Sequence, residues 1–305
     1  MGLCVLEPGL YSLLVGRGRV GSRHLGVPVG GPADSAACAM GNALVGNDAE
    51  ALALEFSFLG PTLIAEQAVA AVVFGAPFQM SSSLGQTVEV GRTFNLAVGE
   101  ELKIGGTATG CLAYLCVAGG FVGREILGSE SALEPLRREE VLACRQSTMR
   151  PRYADTSSLA RRTNETAIRV LPGLQRDWFD ASPFFAQTYT LSEASNRMGL
   201  RLKGVPLLRP PRELASEPVA PGAVQITNDG LPVILGVDGQ TIGGYPKLAH
   251  IIRADLDRLG QLRPGEHVRF VEVSFAEAEF AYAEARSALR KTLALWRAGA
   301  TPKFG

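Results

Sequence analysis

The sequence has little charge asymmetry and no long apolar run. Its 305 residues contain 30 basic and 30 acidic side chains, so the formal net charge is zero. No basic stripe stands out, which argues against nucleic acid as a partner. No apolar run reaches the roughly 18 residues of a membrane span, and the first residues lack the basic and apolar regions of a signal peptide. We therefore expect a cytoplasmic protein with no membrane partner.

Histidine and cysteine are scarce, and their spacing matches no metal-binding motif. The three histidines are His24, His250 and His267, and no His-Glu-x-x-His or Cys-x-x-Cys occurs. The five cysteines are odd in number, and Cys111 and Cys116 would face opposite sides of one strand. We expect no metal site, and free thiols in a reducing compartment.

Standard sequence motifs for a catalytic nucleophile or a phosphate-binding loop are absent, except that one segment matches the glycine pattern of dinucleotide-binding loops. Residues 16–21 read Gly-Arg-Gly-Arg-Val-Gly after a predicted strand. Dinucleotide binding needs a helix that begins at such glycines. The glycines and prolines at 26–32 forbid a regular helix there. The segment is predicted to be a loop beside a site, with arginines that either hold an anion or are only solvated.

Short apolar runs separated by Gly, Pro, Asn or Asp predict a mainly β protein. They are five or six residues long and rich in β-branched side chains: Val69–Phe74, Thr93–Val98, Leu112–Val117, Ala167–Leu171, Val233–Val237 and Val268–Val273. Helices are predicted over three segments, the last of which has the strongest helix-forming composition: Pro32–Val45, Ser131–Glu140 and Phe275–Trp296. A polar stretch at 145–165 predicts a boundary between domains 1–160 and 161–305.

The first candidate site segment runs from Arg23 to Asn42. His24 lies in a Gly/Pro-rich loop, where it can serve as an acid, a base or a donor, or face solvent. Asp34 is a candidate ligand group at the start of a predicted helix, although helix capping also explains it. Asn42 either faces inward near the end of that helix or forms a turn.

Two further segments supply amide and guanidinium groups. Asn196 and Arg197 stand together, and the guanidinium fork of Arg197 suits a planar anion or a carbonyl. A structural salt bridge is the alternative for Arg197. Gln225 lies on a predicted strand that ends at an Asp229-Gly230 hairpin turn.

The strongest candidate site is the segment 238–247. The adjacent glycines Gly243 and Gly244 indicate a close approach of backbone to a ligand. Four polar side chains flank them and offer an amide, a hydroxyl, a phenol and an ammonium group: Gln240, Thr241, Tyr245 and Lys247. This mixture suits an amide, urea-like or lactam ligand better than a phosphate, and a tight turn with exposed side chains is the alternative. We expect 24–32, 196–198 and 240–247 to line one cleft joining the two halves of the chain.

Several Gly/Pro-rich motifs occur in a fixed order along nearly the whole chain. They read Glu7-Pro-Gly-Leu10, His24-Leu-Gly-Val-Pro-Val-Gly-Gly-Pro-Ala-Asp34, Gly41-Asn-Ala-Leu-Val-Gly-Asn47, Ala113-Tyr-Leu-Cys-Val-Ala-Gly-Gly120, Leu171-Pro-Gly-Leu-Gln175 and Gln240-Thr-Ile-Gly-Gly-Tyr245. In this order they resemble the biotin-dependent carboxyltransferase A and B module, which occurs in allophanate hydrolase subunit 2, in the C subunit of 5-oxoprolinase and in urea carboxylase. The resemblance implies two linked cyclophilin-like β-barrel subdomains with few short helices and a C-terminal helix.

The resemblance also implies an activity. It suggests one subunit of an enzyme that opens 5-oxoproline to glutamate using ATP. The expected partners are a B-type subunit, which resembles allophanate hydrolase subunit 1, and an A-type subunit. Three residues are expected to be catalytic: His24, Arg197 and Tyr245. The expected substrate-binding residues are Asp34, Asn42, Asn196, Gln225, Gln240, Thr241, Gly243, Gly244 and Lys247.

Two alternatives stay open. One is a urea carboxylase-like carboxyltransferase that works with a biotin carrier on another polypeptide, because this chain has no Met-Lys biotinylation pair. The other is a non-enzymatic regulatory protein that binds a B-type partner. The segment Ser12–Arg17 differs from the family's usual opening loop, and this difference favours the regulatory alternative.

Overall fold

The computed structural model describes residues 1–154 and 167–297. Their contacts divide them into two compact units. Unit 1 contains residues 1–18, 34–154 and 288–297, and unit 2 contains residues 19–33 and 167–287. The predicted boundary at 145–165 and its cut at 160 extend into residues 155–166, outside the described residues, so the boundary stays a prediction.

Unit 1 consists of two antiparallel sheets and a helix. Its strands are β1 (Gly2–Glu7), β2 (Tyr11–Val15), β3 (Ala53–Ser57), β4 (Thr62–Ala65), β5 (Val69–Gly75), β6 (Phe78–Ser82), β7 (Phe94–Leu96), β8 (Glu101–Thr107), β9 (Leu112–Val117) and β10 (Val141–Ala143), and its helix is α1 (Ser35–Leu44). The strand orders are β10-β1-β4-β8-β6 and β2-β3-β9-β5-β7. Alternating side chains such as Leu3, Val5, Leu54 and Phe56 join both sheets in one buried apolar cluster.

Unit 2 contains a closed barrel. Its strands are β11 (Ala167–Pro172), β12 (Tyr189–Leu191), β13 (Gly199–Lys203), β14 (Glu217–Pro218), β15 (Ala223–Ile226), β16 (Pro232–Leu235), β17 (Ile242–Gly243), β18 (Lys247–Ile251) and β19 (His267–Glu272). Seven of them close in the order β11-β18-β15-β16-β13-β12-β19, while β14 pairs with β17 alone. The short helices are α2 (Ser182–Ala186) and α3 (Leu256–Leu259), and the last helix is α4 (Phe275–Arg297). Closure leaves the barrel without a free edge. In the barrel β15 pairs with β18, while β14 and β17 form a separate antiparallel pair.

The mainly β class with few helices and a C-terminal helix is confirmed. All six predicted strands are present, and β9 has the predicted bounds. The predicted helix at Pro32–Val45 begins later, at Ser35, because Asp34 caps it by accepting a hydrogen bond from the Ala37 N–H at 3.0 Å. Among the described residues, no helix combines the length and apolar character that a membrane span requires.

The predicted helix at Ser131–Glu140 is wrong. Its backbone is irregular, with bends at 133–134 and a turn at 138–139, and it bonds to strands of unit 1: Ala132 N donates to Leu14 O at 2.8 Å, and Leu136 N donates to Ser12 O at 2.8 Å. Pro135 also cannot donate a helical hydrogen bond. Long-range pairing with β2 therefore determines this segment, which local composition cannot indicate.

Candidate functional site

The loop of residues 19–33 belongs to unit 2, although it comes from the first half of the sequence. Gly30 N donates to Val237 O at 2.9 Å, and Arg19 N donates to Val29 O at 2.6 Å. Gly30 has φ +64°, a value that glycine adopts without steric cost. The loop is thereby held beside the turn that follows β16.

Arg197 connects the loop of residues 19–33 to the turn that follows β16. Its Nε donates to Asp238 Oδ2 at 2.6 Å, and its Nη2 donates to Asp238 Oδ1 at 3.1 Å and to Gly31 O at 2.7 Å. The Arg197 side chain is 11% exposed and that of Asp238 is 30% exposed. The planar fork therefore fixes three acceptors at once. The salt-bridge alternative describes what Arg197 does in this structure, so we interpret it as a positioning residue.

His24 lies in a short 3-10 turn, Arg23–Leu25, and is exposed. Its Nδ1 is 2.8 Å from Gly21 O. A backbone carbonyl only accepts, so Nδ1 carries the proton and Nε2 presents a lone pair. The side chain is chemically able to accept a proton, and its catalytic role stays a prediction.

Gly243 ends β17, which pairs with β14 in a two-stranded sheet, and Gly244 follows it. Gly243 pairs with Glu217, and Ile242 pairs with Pro218. A Cβ on Gly243 would be 2.6 Å from Gln240 Nε2 and 2.8 Å from Gln225 Nε2. Two side-chain amides thus converge on this backbone position, and a side chain added there would have to displace at least one of them.

A partly buried ion pair links β14 to β18, with the Lys247 side chain 7% exposed and the Glu217 side chain 30% exposed. Lys247 Nζ donates to Glu217 Oε1, and Gln175 Nε2 donates to the same oxygen at 2.9 Å. The backbone N–H of Lys247 donates to Gln175 Oε1 at 3.0 Å. The hydrogen bond from Lys247 is the main cause that lowers the pKa of Glu217. Glu217 is therefore a carboxylate at neutral pH, and its charge is balanced locally by the Lys247 ammonium.

The other predicted residues near Gly243 differ in exposure. Gln225 is 2% exposed and Thr241 is 7% exposed, whereas Gln240 and Tyr245 reach the surface. Thr241 also extends the pairing of β14 with β17, since its carbonyl accepts a hydrogen bond from Val219 N at 3.0 Å. Asn196 is exposed, and its Oδ1 accepts from Met198 N at 2.9 Å. The structure therefore assembles Gln225, Gln240, Gly243 and Lys247 tightly, and leaves Asn196 at the turn before β13.

Asp34 and Asn42 lie in unit 1 and have structural surroundings. Asp34 is 4% exposed and caps α1. Asn42 is fully buried, donates to Ala51 O at 2.8 Å and accepts from Asn47 Nδ2 at 2.9 Å. These contacts are structural, and the expected role of both residues in substrate binding stays a prediction. Sequence reasoning could not see these partners, which are tertiary contacts.

A cavity of about 780 Å³ also occurs in unit 1. Its lining mixes basic, acidic and backbone groups, including Arg17, Glu50, Glu125 and Arg297. None of the expected catalytic or substrate-binding residues lines it, whereas Gly16 and Arg17 of the predicted loop 16–21 do. We therefore place the candidate site in unit 2, where the predicted polar groups converge on glycine.

Three residues that contribute to the site were not among those predicted from sequence: Gln175, Glu217 and Asp238. Asp238 is the first residue of the predicted segment 238–247, so its place before Gly239 could have indicated it as a site residue. Gln175 and Glu217 are 72 and 30 residues from Lys247. Nothing local in the sequence pairs them with it.

In unit 2, a closed barrel lies beside the paired strands β14 and β17, where two side-chain amides and a Lys247–Glu217 ion pair surround Gly243. The carboxyltransferase domain, subdomain A and B, matches residues 25–272. The chain belongs to this family.

Individual proteins are similar over most of the chain. The chain is 32% identical to the C subunit of 5-oxoprolinase from Escherichia coli strain K12, over 90% of this chain and 93% of that protein. It is 33% identical to the C subunit of 5-oxoprolinase from Haemophilus influenzae, over 86% and 88% respectively. The Kluyveromyces lactis urea carboxylase structure matches with a TM-score of 0.85 and 26% identity, over 95% of this chain and 29% of that one.

Proposed function

We propose that this chain is one subunit of an ATP-dependent 5-oxoprolinase, which opens the lactam of 5-oxoproline to glutamate together with partner subunits. The observation that carries the proposal is the mutual coverage with two proteins named as C subunits of 5-oxoprolinase. The match spans most of those proteins, whereas it spans under a third of the urea carboxylase chain. The site chemistry of unit 2 supports the same substrate class.

A lactam presents a carbonyl oxygen that accepts and an N–H that donates. The region around Gly243 offers donors in Gln225 and Gln240 and an acceptor in Glu217. Because Lys247 balances the charge of Glu217, the region suits a neutral amide better than a polyanion. Tyr245, 36% exposed, adds a hydroxyl donor at the surface. In hydrolysis, the lactam C–N bond breaks, the carbonyl carbon gains the water's OH and the nitrogen gains its proton.

The partners are part of the proposal. His24 bonds to the Gly21 carbonyl rather than to a carboxylate, so the described residues do not show it oriented by an acid as in a catalytic triad. We therefore expect turnover to need two further polypeptides, a B-type partner of the allophanate hydrolase subunit 1 kind and an A-type partner. In the described part of the chain, no helix begins at the glycines of residues 16–21 to cradle phosphates. We assign no ATP step to residues of this chain.

The test is 5-oxoproline-dependent ATP hydrolysis by the chain co-purified with a B-type and an A-type partner subunit. The proposal expects ADP and glutamate to form together, and only when 5-oxoproline is present. Urea and other linear amides should stimulate much less. Equal ATP hydrolysis with and without 5-oxoproline would contradict the proposal.

A second candidate, a urea carboxylase-like carboxyltransferase, is favoured by the fold match to urea carboxylase over 95% of this chain. It would act with biotin on another polypeptide. The same purified complex tests it: carboxyl transfer between free biocytin and urea would support this alternative. A partner whose activity is merely altered by the chain, with no turnover of either substrate, would instead support the regulatory alternative.

A further inference from the structure

Gln225 carries an amide that the fold buries without satisfying. The residue lies on β15 and is 2% exposed. Within residues 1–154 and 167–297, its Nε2 has no hydrogen-bond partner. A buried donor left in this state destabilises a fold, and native structures retain few of them. An unsatisfied buried donor can be satisfied by a ligand that brings an acceptor.

The unsatisfied amide points at a backbone position with no side chain. A Cβ on Gly243 would lie 2.8 Å from Gln225 Nε2 and 2.6 Å from Gln240 Nε2. Distances under about 3.0 Å exclude any side chain at this position unless an amide moves. Gln240 is exposed, whereas Gln225 is buried and its backbone lies in the barrel strand β15. Movement of Gln240 would therefore uncover the Gln225 donor above Gly243.

The groups around this position determine what can bind. An amide NH₂ group donates only, so it requires an acceptor oxygen. Gly243 pairs with Glu217, and Gln225 pairs with Lys247 on the adjacent strand. Since Lys247 and Glu217 neutralise one another, the surroundings offer no net positive charge for a phosphate. A neutral carbonyl oxygen is the acceptor that fits best, and an adjacent N–H would find an acceptor in the Glu217 carboxylate.

We propose that Gln225 is the specificity-determining residue of this site, and that its buried Nε2 donates to the carbonyl oxygen of an amide or lactam that binds over Gly243 when Gln240 moves aside. The inference rests on the proposed function and names the group that recognises the carbonyl. It also predicts a combination of effects that a purely structural role would not produce. Removing the amide should keep or raise the unfolding midpoint, and it should weaken binding.

Gln225→Met tests this directly, because methionine has a similar volume and no N–H donor. In the assembled complex, we expect the affinity for 5-oxoproline, measured by titration calorimetry, to fall roughly tenfold or more. The unfolding midpoint of the variant chain should stay the same or rise by about 2 °C, since the unsatisfied donor is gone. The matched control is Gln67→Met in unit 1, where the amide does have a partner, Cys144 O at 2.7 Å. That control should lower the midpoint and leave the affinity unchanged.

Gly243→Ala provides a second variant whose added methyl group meets both amides. It should weaken binding while Gly106→Ala, whose Cβ would have its nearest neighbour at 3.5 Å, should not. A Gln225→Met complex that binds 5-oxoproline with wild-type affinity would overturn the inference, as would a lowered midpoint with unchanged binding.

Three probes separate this inference from the proposed function: 5-oxoproline, 2-pyrrolidinone and proline, which lacks the ring carbonyl. Binding of 2-pyrrolidinone that depends on Gln225, without any turnover of 5-oxoproline, would support the inference and contradict the proposed function. Turnover of 5-oxoproline that does not change when Gln225 is substituted would support the proposed function and contradict the inference. Equal binding of proline and 5-oxoproline, or binding of neither lactam, would overturn the inference.

Discussion

Arg197 and Asp238 form a two-pronged ion pair in which both guanidinium contacts are within 3.1 Å of the carboxylate. The same guanidinium donates to Gly31 O at 2.7 Å. One side chain therefore connects β13, the turn after β16 and the loop of residues 19–33. This connection positions His24's loop relative to the Gly-rich segment within unit 2.

Arg197→Ala should destabilise unit 2 as well as impair activity. The change leaves Asp238 and Gly31 O without this donor, and we expect a loss of about 2 kcal/mol in the free energy of unfolding. The value is below that of a fully buried pair because Asp238 is partly exposed. Urea denaturation of the purified chain measures it.

The matched control for this change is Arg137→Ala, which removes an exposed ion pair with Glu134. We expect it to change the free energy of unfolding by less than about 0.5 kcal/mol. Arg197→Lys should be intermediate, since it keeps the charge and loses the fork. Equal stability of Arg197→Ala and Arg137→Ala would contradict the positioning role.

Tyr245→Phe should reduce kcat/KM for 5-oxoproline roughly tenfold in the complete complex, because one hydroxyl donor is lost from the site. The unfolding midpoint should not change, since Tyr245 is 36% exposed. Tyr153→Phe in unit 1, where the tyrosine is 53% exposed, is the control and should leave both quantities unchanged. Wild-type turnover by Tyr245→Phe would remove this residue from the site.

The Lys247–Glu217 pair predicts a pH dependence. The hydrogen bond from Lys247 lowers the pKa of Glu217 in the folded protein. The pair therefore stabilises the fold fully above the unfolded-state pKa, about 4.3 for a glutamate, and the contribution is lost as the pH falls through the lower folded-state value. Carbon-detected NMR of the Glu217 carboxylate should show a midpoint that rises toward its ordinary value in Lys247→Met. An unchanged midpoint would contradict the pairing.

Asn42→Ala should act on stability. Asn42 is fully buried and bonds to Ala51 O and to Asn47. We expect a loss of about 2 kcal/mol in the free energy of unfolding, and an unchanged KM for 5-oxoproline in the complex. The matched control is Asn95→Ala. The Asn95 side chain also makes two hydrogen bonds, both to the backbone of Met149, but it is exposed. It should cost under about 1 kcal/mol. A raised KM with normal stability in Asn42→Ala would return this residue to the substrate-binding set.

Elements of the fold were predictable where local chemistry determines them. The six apolar residues of β9 can only be a buried strand, and the Ala- and Glu-rich α4 follows helix propensity. The segment 131–140 was not predictable, because its backbone bonds are made to β1 and β2 rather than within itself. Pairing partners over a hundred residues away leave no local pattern.

The candidate site was predictable in its glycines and polar groups, and not in its connections. Gly243 and Gly244 are legible as a close backbone approach, and Gln240 and Lys247 flank them in sequence. The partners that give these groups their chemistry are distant: Glu217 neutralises Lys247, and Asp238 engages Arg197. The barrel pairs β15 with β18, and Lys247 on β18 reaches Glu217 on β14 outside the barrel, so these contacts depend on tertiary structure.

The central claim is that this chain contributes to the opening of 5-oxoproline. The most direct measurement is glutamate formation from 5-oxoproline and ATP by the partner subunits, with and without this chain. The account predicts turnover only when the chain is present, and roughly tenfold less when it carries Gln225→Met. Equal glutamate formation by the partner subunits alone would contradict it.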